Sequence, residues 1–513
     1  MDSEHKTPRV NLANVVAYGL IIITLVKMVV VTSSNPIWGY ANSYDFNRQS
    51  SCIGLWQSDL NKQRIVANPE APVNSLYFDG DRQPWGCMKS IDNVFPYLST
   101  VFHQIGDQID FREVSFWKEA LVSICAVVLL VLIRNPIIKM AISTAFFLVF
   151  GDIVNLLYLN TLYFDFSVIF SCFLSMSLVA MLIAMKKFPN RYIVLFSAFS
   201  LVWLGLSKQQ YMPLASALSL IFSLFTLSRY GFKKATYLFL LISLSLPIAY
   251  GLLNRDHHGS MKNTNFANNT DTFMWAVLPE AEDKETALSV LGLPVSCLSA
   301  IGKSWYSPGL QQNHPCPEVE RLSRIRLIKL FLMEPSTFFR PMFKMISDVR
   351  PFYPSTLGRF ENPADSNTIK YALIAGTSFS TLFTALPLEV HAWLALTSFV
   401  SGPLFIFLLA VGNKFSRRDN TEVSRVAFAM IGLGGIETFY TIASSVFGDG
   451  YAEPQKHAVA FLIGIVFQLV GAVFALLSAW LDYDKPENIT HPDGENSPDD
   501  SSDQSLTNAP NMI

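Results

Sequence analysis

The amino-acid sequence predicts an all-α, polytopic transmembrane helix bundle. The chain has 513 residues, of which 51% are hydrophobic and only 15% are charged, which is too little charge for an ordinary soluble protein. Apolar runs of about 20 residues, the length that crosses a bilayer as a helix, recur along the sequence. They lack the two-residue alternation of membrane β-strands, so a helical bundle is favoured over a β-barrel.

Basic clusters between the apolar runs indicate how the chain is oriented in the membrane. Lys and Arg accumulate in short cytoplasmic loops, and here they occur at 6–9, 134–139, 186–191, 229–234 and 414–418. When all of these clusters are placed inside, both termini are cytoplasmic. The predicted spans then lie near residues 12–31, 119–133, 138–154, 167–185, 191–206, 211–228, 235–253, 391–412, 423–445 and 457–480.

Two segments fall outside this pattern. Residues 369–387 are apolar enough to span, but a span there would place Arg417 and Arg418 outside. We therefore predict a helix that lies on or dips into the outer leaflet, with an eleventh span as the alternative. Residues 481–513 are rich in Asp, Ser, Asn and Pro, which predicts a disordered cytoplasmic tail after a transmembrane unit over 1–480.

Most of the chain outside the bilayer is predicted to lie on the non-cytoplasmic face, in long loops at 32–118 and 254–390. Loops of this length are usually functional, so we expect the chemistry on this face. Each long loop holds two cysteines, which is typical of an oxidising compartment. The sequence therefore predicts two disulfides, Cys52 with Cys87 and Cys297 with Cys316.

Acidic residues at the outer membrane edge are candidates for the site. Asp45 follows the first span in the motif from Asn42 to Arg48, where a carboxylate can act as general base on a hydroxyl or hold a cation against a phosphate. Asp152 lies near the end of an apolar span, where an ionisable group is costly unless it faces a cavity. Asp165 directly precedes the next span. For Asp45 and Asp165 the alternative is a helix cap.

Polar and basic residues are predicted on the same face. Lys208 and Gln210 lie in a tight turn, and Lys456 and His457 precede the last span. Cations at such positions can stabilise a phosphate leaving group as its negative charge develops. The alternatives are a Lys208 side chain that snorkels to the lipid surface and an ordinary polar turn for the second pair. Arg350 is a further candidate, with an amphipathic interfacial helix as the alternative.

The order of these motifs resembles the membrane glycosyltransferases of the GT-C fold. Within them, the chain looks most like the bacterial glycan-biosynthesis hexose transferases of the WsfD type. The resemblance is spread over residues 10–480. It rests on four pieces of sequence, which are Asn42 to Arg48, Asp152 to Asp165, Lys208 to Pro213, and Gly448 to His457.

The resemblance implies an inverting transfer of a hexose from a polyprenyl-phosphate-linked donor. The acceptor would be a glycan or a lipid on the non-cytoplasmic face of a bacterial inner membrane. Asp45 would be the catalytic base, Asp152 would assist at the acceptor or at a cation, and the basic group near Lys208 would receive the lipid phosphate. GT-C enzymes differ in their need for a divalent metal, and the sequence assigns no cofactor. The substrate-binding residues would be Asn42, Arg48, Asp165, Lys208, Gln210, Arg350, Lys456 and His457.

Other classes of membrane protein remain as alternatives. A transporter or flippase of lipid-linked glycans also has many spans, but it would place charges near the midplane and often show repeated broken helices. A glycan polymerase or ligase would face outward and normally bring an arginine-rich loop. A non-catalytic scaffold would tolerate loss of the acidic residues. Membrane lipids are expected partners, whereas the formal net charge of −2 gives no indication of nucleic-acid binding.

Overall fold

The computed structural model describes residues 8–41, 49–56, 71–80, 88–185, 190–231, 233–253, 260–350, 352–354, 356–360, 363–411 and 421–483. Within these ranges the chain is an all-α, multi-pass membrane protein, as predicted. Its helices are α1 (Pro8–Thr32), α2 (Val94–Thr100), α3 (Phe111–Leu132), α4 (Pro136–Phe150), α5 (Ile153–Leu156), α6 (Asp165–Ala184), α7 (Arg191–Ser207), α8 (Met212–Tyr230), α9 (Lys234–Leu253), α10 (Ser260–Asn269), α11 (Lys284–Leu291), α12 (Arg326–Met333), α13 (Ser336–Asp348), α14 (Ile369–Gly376), α15 (Phe379–Thr384), α16 (Leu388–Val411), α17 (Glu422–Asp449), α18 (Pro454–His457) and α19 (Phe461–Tyr483).

A small antiparallel sheet is the only sheet in the described ranges, and it lies in the first long loop. Its strands pair in the order β1-β2-β3, with Leu76 opposite Ile109 in the register of the second pair. Both of these side chains are fully buried, so the sheet packs one face onto the helices. The strands are β1 (Leu55–Trp56), β2 (Ser75–Phe78) and β3 (Gln108–Asp110).

Each predicted span corresponds to a helix. In the described part of the chain, seven helices are long and apolar enough to cross a membrane, and there are up to eight spans if one bent pair counts. That pair is Pro136–Phe150 with Ile153–Asn160, bent by 65°. Two further predicted spans correspond to α7, with 17 residues, and α16, with 24 residues. The second predicted span begins earlier than expected because Asp110 caps α3 by accepting from the Arg112 backbone nitrogen.

Glycines bring α16, α17 and α19 into close contact. A Cβ added at Gly434 of α17 would lie 2.5 Å from the carbonyl oxygen of Gly464 in α19, and one at Gly402 of α16 would lie 2.8 Å from the carbonyl carbon of Gly435. In membranes, small residues at helix crossings allow backbones to approach and gain van der Waals contact. This packing fixes the position of α17, whose C-terminal end contributes to the site described below.

The segment 369–387 forms two short helices. α14 has 8 residues and α15 has 6, so neither alone reaches across a hydrocarbon core of about 30 Å. Lys27 of α1 holds the break between them, because its Nζ donates to the carbonyl oxygens of Thr377 at 3.3 Å and of Gly151 at 2.9 Å. The single predicted helix is therefore two short helices, and its position on or in the outer leaflet stays a prediction.

A second apolar core lies in the lobe formed by residues 260–333, which we call the 260–333 lobe. Phe273 and Leu330 are among its buried side chains. A disulfide joins Cys297 to Cys316, with 4.7 Å between their Cα atoms, which confirms the predicted pairing. The lobe therefore has its own core and its own crosslink beside the spans.

Several predictions fall on residues outside those that the structure describes. Cys52 is disulfide-bonded, in agreement with an oxidised first loop, but its predicted partner is outside the described ranges. The residues concerned are Asn42, Asp45, Arg48, Cys87, the basic pair Arg417 and Arg418, and the tail from 484 onward.

Candidate functional site

An ion pair between two helix ends forms the centre of the site. Asp165 begins α6, and Lys208 directly follows α7. The Lys208 Nζ lies 2.9 Å from Asp165 Oδ1, with the side chain of Asp165 2% exposed and that of Lys208 17% exposed. A carboxylate in the first turn of a helix is also stabilised by the helix dipole. Lys208 therefore points to a carboxylate and not to the lipid surface. The helix-cap alternative for Asp165 is wrong, because the N-cap position is Phe164 and no side chain caps this helix.

A second ion pair is buried close to the first. Lys118 of α3 has no exposed surface, and its Nζ lies 3.9 Å from Asp92 Oδ2. It also donates to the carbonyl oxygens of Tyr158 and Thr161, while Asp92 accepts from the Ser167 hydroxyl at 2.6 Å. Hydrogen bonds of this kind are needed to sustain a buried ion pair. Sequence reasoning missed this pair, although a lysine close to the start of an apolar run was a signal for it.

The turn before the last span contributes a third pair. Lys456 has a side chain only 4% exposed, and its Nζ lies 3.0 Å from Glu453 Oε2 and 5.1 Å from the centroid of the Tyr163 ring. Glu453 has a φ of 41°, a left-handed conformation that costs a residue other than glycine about 1–2 kcal/mol. Such strain concentrates at functional sites. Glu453 was not among the predicted residues.

Hydrogen bonds join the turn of Lys208 and Gln210, which we call the Lys208 turn, to the turn of Lys456 and His457, which we call the Lys456 turn. The Gln210 Nε2 donates to the Ser444 hydroxyl at 2.9 Å and to the carbonyl oxygen of His457 at 3.0 Å. The His457 Nε2 lies 2.8 Å from Asp449 Oδ2 at the end of α17. The start of α6 and the ends of α7 and α17 thus meet at one end of the bundle. This arrangement brings together the predicted residues Asp165, Lys208, Gln210, Lys456 and His457.

Tyrosines connect the ion pairs to the first long loop. The Tyr158 hydroxyl is buried without a hydrogen-bond partner among the described residues, and it interacts electrostatically with both Asp165 and Glu453. The Tyr163 hydroxyl donates to the carbonyl oxygen of Ala41 at 2.9 Å. Ala41 is the last described residue before the first-loop motif. The motif from Asn42 to Arg48, which contains the predicted base Asp45, therefore directly follows in sequence a residue that is bonded to this site.

Asp152 lies at the bend after α4, and both of its carboxylate oxygens accept hydrogen bonds. Its Oδ1 accepts from the Val154 backbone nitrogen at 2.9 Å and from the Ser380 hydroxyl at 2.6 Å, and its Oδ2 accepts from the Ser380 backbone nitrogen at 2.6 Å. The residue has no exposed surface. These contacts give Asp152 a structural role, since it ties the bent span to α15. Its role at an acceptor or a cation stays a prediction.

We expect Asp152→Asn to lower the thermal stability of the protein in detergent. The amide cannot accept all three hydrogen bonds, and each bond to a charged group contributes about 1.5–3 kcal/mol. Ser380→Ala, which removes one of the same bonds, is the matched control and should lower the melting temperature less. An Asp152→Asn protein with wild-type stability and no activity would instead place Asp152 in the reaction itself.

Arg350 is engaged with the end of α15. Its Nη2 donates to the carbonyl oxygens of Thr384 and, at 3.3 Å, of Leu386. A cation is favourable at the C-terminal end of a helix. The carbonyl oxygen of Arg350 accepts from the Gln455 Nε2 at 3.3 Å. Its main chain therefore lies beside the Lys456 turn, while its side chain holds α15 in place.

One group among the described residues has the proximity of a metal site. It consists of Cys297, Cys316 and Glu318. The two sulfur atoms are joined to each other in a disulfide, and only a free thiolate is a metal ligand. This group is therefore excluded as a metal site.

The chain matches a known family over nearly its whole length. The model of the YfdI N-terminal transmembrane domain covers residues 3–488. The chain belongs to this family. It is accordingly a multi-pass membrane protein of a glycosyltransferase-like family. No curated protein and no solved structure matches the chain.

Proposed function

We propose that the chain transfers a hexose from a polyprenyl-phosphate carrier to a glycan or lipid acceptor at the non-cytoplasmic edge of a bacterial inner membrane. One observation carries the proposal: Lys208 and Lys456, each paired with a carboxylate, belong to one site at the end of the spans. Two ammonium groups there can bind the donor phosphate and stabilise its charge as it leaves. The family match supports the same class of protein.

Before a substrate binds, the ion pairs neutralise the two largely buried lysines. The same ammonium groups can then bind the phosphate of the donor. An unpaired buried ammonium group is costly, and in this site Asp165 and Glu453 neutralise the two lysines. The Glu453 side chain is 37% exposed, so water can take over part of its solvation when Lys456 turns to a phosphate. The proposed binding step is thus an exchange of one anionic partner for another.

In the proposed reaction, an acceptor hydroxyl attacks the anomeric carbon of the hexose. The bond between that carbon and the phosphate oxygen breaks, and the polyprenyl phosphate leaves with the electron pair, held by Lys208 and Lys456. A carboxylate takes the proton of the hydroxyl. The GT-C resemblance implies Asp45 as this base and inversion at the anomeric carbon. Ala41, which directly precedes that motif in the sequence, accepts from the hydroxyl of Tyr163, whose ring lies beside the Lys456 Nζ.

A transporter is the second candidate because a carboxyl group, that of Glu437, lies near the middle of a span. Glu437 of α17 is 2% exposed and accepts from the Thr441 hydroxyl at 3.1 Å and from the Cys172 thiol at 3.5 Å. Ionisable groups within spans are typical of transport pathways. A carrier of lipid-linked glycans that uses Glu437 would lose transport in Glu437→Gln, whereas the proposed transferase should keep its activity in that variant.

We expect Lys208→Met to lose hexose transfer and also stability, because it leaves Asp165 buried without its cation. The double variant Asp165→Asn with Lys208→Met removes both charges and should regain stability. Its transfer should stay about 10²–10³-fold below wild type, the loss typical for one electrostatic donor to a developing anion. The measurement is transfer of radiolabelled hexose from a synthetic polyprenyl-phosphate hexose in proteoliposomes. Wild-type transfer by the stable double variant would contradict the proposal.

Labelling of introduced cysteines tests the side on which the site lies. A cysteine at the exposed position Gln312 in the 260–333 lobe should react with a membrane-impermeant maleimide added to intact cells. A cysteine at Arg417 should react only after the cells are opened, because short basic loops stay in the cytoplasm. Reaction at Arg417 in intact cells would mean that 369–387 spans the membrane and would reverse part of the topology.

A further inference from the structure

The 260–333 lobe contains a polar cluster that the proposed donor site does not use. Helix α10 continues into a π-helical segment, Thr270–Val277, and π-helical turns are rare and frequently occur at functional sites. Asp271 in this segment is 1% exposed. Its Oδ1 accepts from the Trp305 backbone nitrogen at 2.7 Å. Its Oδ2 is buried with no hydrogen-bond partner among the described residues.

An unpaired buried carboxylate oxygen requires an explanation, because leaving such a group without a partner costs at least about 1–3 kcal/mol. Burial, together with the nearby Asp449, raises the pKa of Asp271 to about 7. Near neutral pH the carboxyl group is therefore divided between its two protonation states. It can accept a hydrogen bond from a hydroxyl group in one state and donate to it in the other.

The cluster is in direct contact with the end of α17. A Cβ added at Gly450 would lie 2.3 Å from the carbonyl oxygen of Asp271, so only glycine fits between the two segments. Next to it, Asp449 Oδ2 lies 2.8 Å from the His457 Nε2. Asp449 Oδ1 accepts from the Asn268 amide at 2.9 Å in the amide orientation that satisfies both of its atoms. A second carboxylate thus stands beside Asp271.

Aromatic rings form the other part of the cluster. Trp305, whose backbone is fixed by Asp271, has its ring centroid 4.9 Å from that of Phe266 and 6.2 Å from that of His314. Its side chain is only partly buried. The cluster thus combines a partly exposed indole with a carboxyl group, that of Asp271, which holds the Trp305 backbone and keeps one oxygen without a partner among the described residues. Such a combination suits a sugar, since an aromatic ring contacts the apolar face and a carboxyl oxygen bonds a hydroxyl.

We propose that Asp271, Asp449 and Trp305 form the acceptor subsite, and that the group bound there is a neutral sugar ring of a glycan and not a phospholipid headgroup. This inference rests on the proposed function. Two carboxylates favour hydroxyl donors and repel phosphate. Arg324, a cation of the same cluster, already donates to the Gly448 carbonyl oxygen at 2.7 Å. Through His457 and Gln210 the subsite is continuous with the Lys208 turn, as donor and acceptor must be.

Binding of methyl glycosides, measured by saturation-transfer-difference NMR on the full chain in nanodiscs, tests the subsite without any turnover. Methyl α-D-glucoside and methyl α-L-rhamnoside are the probes, and glycerol phosphate is the comparison. Trp305→Ala keeps the backbone nitrogen that holds Asp271, so the lobe should fold. We expect Trp305→Ala and Asp449→Asn to weaken glycoside binding by about tenfold or more. The control Phe339→Ala, at a 48% exposed ring of α13, should leave binding unchanged.

Transfer kinetics separate this inference from the proposed function. With a glycan acceptor, the two variants should raise the KM for the acceptor and leave the KM for the polyprenyl-phosphate donor unchanged. If the wild type transfers hexose but both variants keep their acceptor KM and glycoside signals, the subsite is overturned. Signals from glycerol phosphate alone would overturn it as well. If the wild type binds glycosides through Trp305 but transfers nothing, the subsite stands and the proposed transfer fails.

Discussion

Lys456→Met is expected to stop hexose transfer while the chain still inserts and folds. The side chain of Lys456 is nearly buried, with its Nζ 3.0 Å from Glu453 Oε2 and over the ring of Tyr163. Methionine has a similar length and can keep the packing on that ring. It cannot hold a phosphate, so the transition state loses one cation at the developing charge. Loss of one such group typically costs about 10²–10³ in rate.

Glu453→Gln is the matched variant, because it removes the partner of Lys456 and leaves the lysine in place. Loss of the negative charge beside the nearly buried ammonium group should lower stability, but the lysine should bind the donor phosphate at least as well, so the KM for the donor should fall or stay the same. Single-turnover transfer and thermal unfolding, measured on both variants, distinguish the two roles. Equal losses of rate in both variants would show that the ion pair only maintains the fold of the turn.

The positions of the spans could be predicted from the sequence because each depends on local composition. A run of apolar residues between basic clusters is recognisable without knowing its neighbours. Lys208 and Lys456 were found for the same reason, since a charge next to an apolar run is conspicuous. The pairing of Cys297 with Cys316 followed from their presence in one loop, and the structure confirms it.

The parts of the site that could not be predicted depend on contacts between distant segments or on backbone geometry. Asp152 was predicted at the end of a span, but its hydrogen-bond partner Ser380 is 228 residues away in the sequence. Its structural role therefore could not be predicted from the sequence. From the sequence, Asp92 lies in a loop, where an aspartate is expected to be solvated. The structure instead buries it against Lys118. Glu453 is marked by a positive φ, and a glutamate gives no sign of that conformation in sequence.

Asp45→Asn is expected to reduce transfer to a small residual rate without unfolding the chain. Asn keeps the size and most hydrogen bonds of the side chain but cannot take a proton, and loss of a general base typically costs about 10²–10⁴ in rate. The role of Asp45 follows from the GT-C resemblance. Transfer from the synthetic polyprenyl-phosphate hexose, with protein level and monodispersity checked, is the measurement.

The pH dependence of the same reaction decides whether Asp45 acts as a base. In the wild type, kcat/KM should fall as pH decreases through the pKa of the base, because the protonated carboxyl cannot accept the hydroxyl proton. Asp45→Asn should leave a small residual rate without that acid limb. Asp107→Asn, at a 49% exposed carboxylate of the same loop, is the control and should keep both the rate and the profile. A folded Asp45→Asn protein with near wild-type transfer would end the role of Asp45 and favour a transporter or scaffold, because the proposed reaction then has no group to take the hydroxyl proton.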